Sequence, residues 1–220
     1  MSLSSEVIIN IVLFGVVALI VSFVLGLFRG KRTKREGGNA GEAAVRKKLM
    51  KHCGSTSSHL MNNITLRYGD GTTQIDHILI TKKGVLIIET KHYSGWLFAN
   101  EKSKKWMQVI FKVKHGFQNP IFQNKKHISA VRNVLDFLPK GQVGGLVVFT
   151  GKAKFKTPIP SGVILYRDLE SYVSKLDFGE ISANRVQFCV GRLECLRLDL
   201  TGKTDIEHQK YLEKKFGASE

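Results

Sequence analysis

The sequence predicts a mixed α/β domain, a sheet flanked by helices, preceded by one N-terminal transmembrane helix. Three observations carry that expectation. Residues 7–28 are an apolar run broken only by Asn10, Ser22 and small residues. Two strand-like segments, residues 74–81 and 85–91, are joined by the short link Lys82-Lys83-Gly84. Beyond them Ile128, Val131, Leu135 and Leu138 recur at helical spacing.

Length justifies the first element. A helix of 22 residues spans about 33 Å, enough for a bilayer core. The run is apolar on every face, which a helix in a soluble core does not need. Residues 1–6 carry no basic side chain and no small-residue cleavage site follows, against a cleaved signal peptide. Arg29, Lys31, Arg32, Lys34 and Arg35 come next. By the positive-inside rule residues 1–6 lie outside and residues 29–220 in the cytoplasm. A single-pass protein is expected, in a bacterial inner membrane, with residues 29–35 resting on anionic head groups.

Residues 29–40 read as a basic juxtamembrane linker. Residues 42–51 then read as a helix with Val45 and Leu49 on one face. Glu42 shares that face, either as a first-turn carboxylate favoured by the helix dipole or as an inward acid with a task. A strand is expected at 60–68, and Gly69-Asp70-Gly71 is a turn signal. The strands at 74–81 and 85–91 follow as an antiparallel hairpin. Residues 92–118 read as an irregular excursion or a short extra strand pair. Asn119-Pro120 supplies an N-cap and first-turn proline for a helix reaching about Leu138. Strands follow at 143–149 and 163–166, Asp168 is expected to cap a short helix, and further helices are expected near 182–193 and 204–216. The α/β domain is thus bounded at 41–166, with a helical extension at 167–220.

A formal charge of +16 and a pI near 9.9 favour an anionic partner. Residues 1–36 contribute five of the 34 basic and two of the 18 acidic side chains, so residues 37–220 keep a net +13. Cys53, Cys189 and Cys195 are an odd number without CxxC spacing, against a disulfide scaffold or a thiolate zinc site. They read as buried small apolar residues.

Within the hairpin, Asp76, Glu89 and Lys91 stand where buried strands should be apolar. Residues two apart on a strand share a face, so Glu89 and Lys91 are neighbours. The tight link can bring Asp76 beside Glu89. Such a cluster at the end of an apolar ribbon is costly unless something satisfies it. A divalent metal and a phosphate would. Oxygen ligands suit Mg2+ or Mn2+, with Asp76 and Glu89 as ligands and the Thr90 carbonyl as a third. Lys91 would orient the attacking water or neutralise charge in phosphodiester hydrolysis. The plain alternative is a solvent-exposed hairpin end with an ion pair of little consequence.

Helix, three strands, helix, strand with D…ExK resembles the PD-(D/E)xK, or restriction-endonuclease-like, superfamily. More narrowly, four ordered pieces resemble a NERD (nuclease-related) domain. They are Gly41-Glu42, Ile75-Asp-His-Ile-Leu-Ile80, Ile88-Glu-Thr-Lys-His-Tyr-Ser-Gly-Trp96, and Gln118-Asn-Pro-Ile-Phe-Gln-Asn124 with His127. Ile75 stands where the family has a proline. The resemblance implies Asp76, Glu89 and Lys91 in the nuclease core and Glu42 as the accessory acid. It also implies that Gln123 faces the active site, holding the scissile phosphate or a metal-bound water. The plainer reading of Gln123 is a helix-start cap or a contact with the Trp96 loop. His127, on the same helix face as Gln123, reads as a satisfied histidine packing beside the sheet. His77 reads as structural, on the strand face opposite Asp76.

The expected function is that of a membrane-anchored, metal-dependent nuclease acting on DNA or RNA, with DNA favoured. The first alternative is a non-cleaving nucleic-acid-binding module of a membrane-associated DNA transfer or processing apparatus, and the second a membrane-associated scaffold whose basic surface rests on anionic lipid. In residues 92–118, Lys102, Lys104, Lys105, Lys112, Lys114 and His115 interleave with Trp96, Trp106 and Phe111. That suits a backbone-tracking groove with stacking surfaces, and equally solvated lysines over an aromatic cluster.

Overall fold

The computed structural model describes residues 40–53 and 57–198. The expected membrane span at 7–28, the basic residues 29–35 and the helix at 204–216 lie outside them. Among the described residues no helix is long and apolar enough to cross a membrane.

Helix α1 covers residues 40–50 and buries Val45 and Leu49 completely, as their spacing predicts. β1 (Ser58–Tyr68), β2 (Gly71–Thr81) and β3 (Gly84–His92) follow as an antiparallel meander. β4 (Gly95–Phe98), β5 (Lys105–Ile110) and β6 (Val113–Gln118) form a second meander. α2 (Pro120–Val134) then carries the chain to β7 (Val143–Thr150), which lies parallel to β3. β8 (Ala153–Phe155) pairs parallel with β4, and β9 (Val163–Leu165) parallel with β7. α3 (Leu169–Ser174) and α4 (Ala183–Leu196) complete the described chain.

The first sheet runs β1-β2-β3-β7-β9 and the second β6-β5-β4-β8. β3 is apolar from Gly84 to Ile88 because both its faces are covered. Ile87, on one face, joins a core with Ala130 and Val131 of α2 and Val186, Cys189 and Leu193 of α4. Leu86 and Ile88, on the other, pack with Val45 and Leu49 of α1 and Leu169 of α3. α4 therefore belongs to the core rather than to an appended extension. This mixed α/β arrangement, two mixed sheets flanked by helices, fits the restriction-endonuclease-like fold.

Several expectations need correction. Residues 92–118 are three ordered strands, because Leu97 and Trp106 pack inward on Phe149 and Val147. β8 had no sequence signal beyond three residues. α2 ends at Val134, and Leu135 and Leu138 are buried from the following turn instead, with Leu138 N–H donating to the Leu135 carbonyl at 3.0 Å. Asn119 caps α2 as expected, its side chain accepting from Ile121 N–H at 2.9 Å. Asp168 stands before α3, yet its side chain makes no cap hydrogen bond and lies 3.7 Å from Arg167 Nε. Of the cysteines only Cys189 is buried, its thiol pushed up to about 11 by burial; Cys195 is exposed on the outer side of α4.

Candidate active site

The β2–β3 ladder runs from Thr81↔Gly84 to His77↔Ile88 and stops. Beyond the last rung, Thr90 N–H donates to Asp76 Oδ2 at 2.7 Å. The aspartate carboxylate thus occupies the place of the next backbone acceptor, which a buried N–H requires. On the other side of β2, Asn63 falls between the pairs Asn62↔His77 and Ile64↔Ile75 and has φ +53. Strict alternation breaks there: Ile75 and Ile78, three apart, both join the core under α2. That step aims Asp76 at the edge of β3.

Glu89 shares the α2 face of β3 with Ile87 and Lys91. Its Oε1 is 2.7 Å from Lys91 Nζ and its Oε2 is 3.0 Å from His127 Nε2. A carboxylate only accepts, so Nε2 carries a proton. The other ring nitrogen, Nδ1, is 2.7 Å from Thr73 Oγ1. In the neutral ring the threonine hydroxyl therefore donates to Nδ1. Lys91 Nζ also donates to Gln123 Oε1 at 2.9 Å.

Two close approaches hold the helices in place. Asn124 Nδ2 donates to the Ile87 and Leu146 carbonyls at 3.4 and 3.1 Å, pinning α2 to β3 and β7. A Cβ at Gly145 would lie 2.5 Å from Ile128 Cδ1 and 2.8 Å from Asn124 Nδ2, so any larger residue there would make these side chains of α2 shift. Likewise a Cβ at Gly41 would lie 2.6 Å from Thr150 Oγ1 and 2.9 Å from His92 Cβ. The start of α1 therefore rests on the ends of β3 and β7, which brings Glu42 to the cluster.

The electrostatics are unbalanced. Burial pushes the Asp76 carboxyl well above its ordinary range, and the Glu89 and Glu42 charges push it further; the Thr90 hydrogen bond and Lys91 only partly offset this. Glu42 is raised by burial and then by Glu89. Burial would raise Glu89 as well, but Lys91 and His127 outweigh it and hold it low. Lys91 loses by burial and gains more from Glu89, so it stays protonated. Three carboxyl groups share one ammonium.

This donor set fits a hard divalent cation, which would balance the excess negative charge. Asp76 and Glu89 are the acids available to hold it. In an extended strand a residue's C=O leaves on the same edge as its N–H, so the Thr90 carbonyl lies on the Asp76 side. Among the described residues no group of three or more His, Cys, Asp or Glu side chains is placed to hold a metal ion. Both Glu89 oxygens are already engaged.

Glu89, Lys91 and Gln123 are thus joined through direct bonds, Asp76 is held beside them by the Thr90 backbone N–H, and Glu42 is linked through its charge. The exposed-hairpin alternative fails, since Glu89 is 2% exposed. His127 does more than pack beside the sheet: it bonds Glu89 directly. His77 lies apart, its Nδ1 2.7 Å from Asn62 Oδ1. Burial and then Arg46 lower its pKa to about 4. The sequence reading passed over Thr73 and Asn124. Asn124 sits beside Gln123 within a quoted motif, and helical spacing alone would have turned it toward the sheet.

A family model described as nuclease-related domain (NERD) matches residues 37–150, a span ending with the last residue of β7. An uncharacterized protein from Bacillus anthracis is 34% identical over 217 residues, covering 94% of this chain and 98% of that protein. No solved structure matches.

Proposed function

This chain belongs to the nuclease-related domain (NERD) family, and on that premise we propose that it is a metal-dependent nuclease hydrolysing phosphodiester bonds, with DNA favoured over RNA. One observation supports this most: Asp76, Glu89 and Lys91 converge at the end of β3, with acids in excess over cations. Such an arrangement does not serve stability alone, because buried like charges destabilise.

Asp76 and Glu89, with the Thr90 carbonyl, would hold Mg2+ or Mn2+. When bound, such an ion polarises the phosphate and acidifies a water. Lys91 places a permanent positive charge beside that position and keeps Glu89 ionised. Gln123 fixes the ammonium through its Oε1 and leaves its amide N–H2 free to donate to a phosphate oxygen. His127 and Thr73 set the rotamer of Glu89. Glu42 adds an acid from the side of α1.

The apolar run at 7–28 and the basic residues 29–35 support a tether in a bacterial inner membrane, with residues 29–220 facing the cytoplasm. The competing reading is a module that binds nucleic acid without cutting it. It draws support from Glu89, whose two oxygens are taken by Lys91 and His127.

The deciding experiment incubates the full-length chain with labelled single- and double-stranded DNA and RNA under Mg2+, Mn2+ or EDTA. Asp76→Ala and Lys91→Ala run alongside. Cleavage that needs metal and vanishes in both variants establishes the nuclease. Binding without cleavage under every metal establishes the non-cleaving module.

A further inference from the structure

The second sheet has one face on the core and one face open. Directly opposed residues of antiparallel strands share a face. Phe98 pairs with Met107 and Trp96 with Val109, so these four side chains lie together. The alternate residues, Leu97, Trp106 and Gln108, are buried on the other side. Trp96 and Phe98 remain 50% and 38% exposed, and Met107 is 41% exposed. Large aromatic rings on an open sheet face call for an occupant.

Charge identifies its class. Lys114 stands opposite Val109, and Lys154 opposite Trp96, so both rise from this same face. Lys156 Nζ sits 4.4 Å from the centroid of the Trp96 ring, a cation–π contact. The segments 93–118 and 151–157 together hold eight lysines against one glutamate, Glu101. Cations among exposed rings complement an anionic chain that also offers flat apolar faces. A duplex hides the faces of its bases within the stack and presents phosphates alone; an unpaired strand presents both.

We propose that the outer face of β4, β5 and β6 is a stacking platform for single-stranded nucleic acid, with bases laid on Trp96 and Phe98 and phosphates met by Lys114, Lys154 and Lys156. The assignment rests on the proposed nuclease function and gives that function its substrate class. The platform stands near the carboxylate cluster along the chain. Trp96 follows Lys91 by five residues, at most about 17 Å of extended chain. Gly95, φ +79, makes the turn between them; a Cβ there would lie 2.4 Å from the Val109 carbonyl oxygen.

The test is binding by the full-length chain in EDTA, so that cleavage plays no part. Fluorescein-labelled oligo(dT), a duplex of equal length and phosphatidylserine vesicles are titrated with wild type, Trp96→Ala/Phe98→Ala and Trp96→Tyr/Phe98→Tyr. The alanine pair should weaken oligo(dT) binding about tenfold per ring removed, leave duplex binding within about twofold, and melt as a folded protein. The tyrosine pair should bind oligo(dT) nearly as wild type does. Should the alanine pair fail to fold, the single variants Trp96→Ala and Phe98→Ala serve instead, each expected to lose about tenfold for oligo(dT) and to stay within about twofold for duplex. Unchanged oligo(dT) affinity, or an equal loss for single strand and duplex, overturns the platform. A loss confined to vesicles assigns the face to lipid and also overturns it. Selective loss of oligo(dT) in a protein that cuts nothing under any metal keeps the platform and removes the nuclease. Metal-dependent cleavage with no oligo(dT) selectivity removes the platform and keeps the nuclease.

Discussion

Lys91 Nζ lies 2.7 Å from Glu89 Oε1, and the glutamate side chain is 3% exposed. An ammonium and a carboxylate two residues apart on one strand thereby form a buried pair that also reaches Gln123 on α2. Removing one partner of such a pair leaves the other charged and buried, at a cost of about 3–5 kcal/mol. Lys91→Met is expected to lose stability of that order in urea unfolding. Added Mn2+ should restore part of it, since a cation again faces Glu89. Cleavage should fall by about 100-fold or more, the scale of losing one preorganised charge at a reacting group.

Asp76 behaves in the opposite way. Its carboxyl is raised in the folded state by burial, then Glu89, so the folded protein holds this proton more tightly than the unfolded chain. Stability from this group is full below the ordinary carboxyl pKa and falls as pH rises through the folded value. Asp76→Asn removes the charge yet keeps an oxygen for Thr90 N–H. Its metal-free Tm at pH 7 should exceed that of wild type, by roughly 2–4 °C for each kcal/mol relieved. The Tm rise that Mg2+ or Mn2+ gives wild type should vanish in it. Scanning calorimetry with and without metal checks both.

His127 and Thr73 form a buried chain behind Glu89. His127→Phe deletes the donor to Oε2 and should cost about 10–100-fold in metal affinity or turnover, as loss of a ligand's supporting partner does. His127→Gln, which can still donate, should recover part of that loss. Thr73→Val should have the smaller effect, because His127 then keeps Glu89 and loses only its tautomer lock. Mn2+ titrations by calorimetry rank the three.

His77 supplies a pH prediction. Burial and Arg46 hold it neutral down to about pH 4, while the unfolded chain protonates near 6.5. Between those values the unfolded state binds the extra proton, so stability is full above about pH 6.5 and is lost as pH falls toward 4. The loss amounts to about 3 kcal/mol at most. Urea unfolding of His77→Gln across that window should show a shallower acid limb than wild type.

Much of this was legible in the chain because it is written in periodicity. The apolar strands β2 and β3, the Ile128 and Val131 part of the α2 stripe and the Asn119 cap follow from local spacing alone. The second sheet did not, because on β4 and β5 rings stand at both inward and outward positions, Trp106 buried and Trp96 and Phe98 exposed, which erases the contrast that marks a strand's faces. Phe98 and Leu97 look alike in sequence; only pairing with Met107 and Gln108 sorts them. The cluster Asp76, Glu89 and Lys91 was readable from three charges in an apolar hairpin. The role of His127 was not, since its partners Glu89 and Thr73 are 38 and 54 residues away and meet it only when α2 docks. Asn63 opposite Asp76 carried no signal that it would adopt φ +53.

Three strands of the second sheet, β4 to β6, are spliced into the chain between the two walls of the cluster. β3, bearing Lys91, ends at His92, and β4 begins at Gly95; β6 ends at Gln118, and α2, bearing Gln123, begins at Pro120. Two residues form one joint and one residue the other, and Asn119 at the second is itself tied down through its Nδ2 to the carbonyls of Glu101 and Ser103. Neither joint has slack. The residues that flank the inserted strands are therefore the ones whose side chains meet across the cluster, Lys91 Nζ donating to Gln123 Oε1 at 2.9 Å.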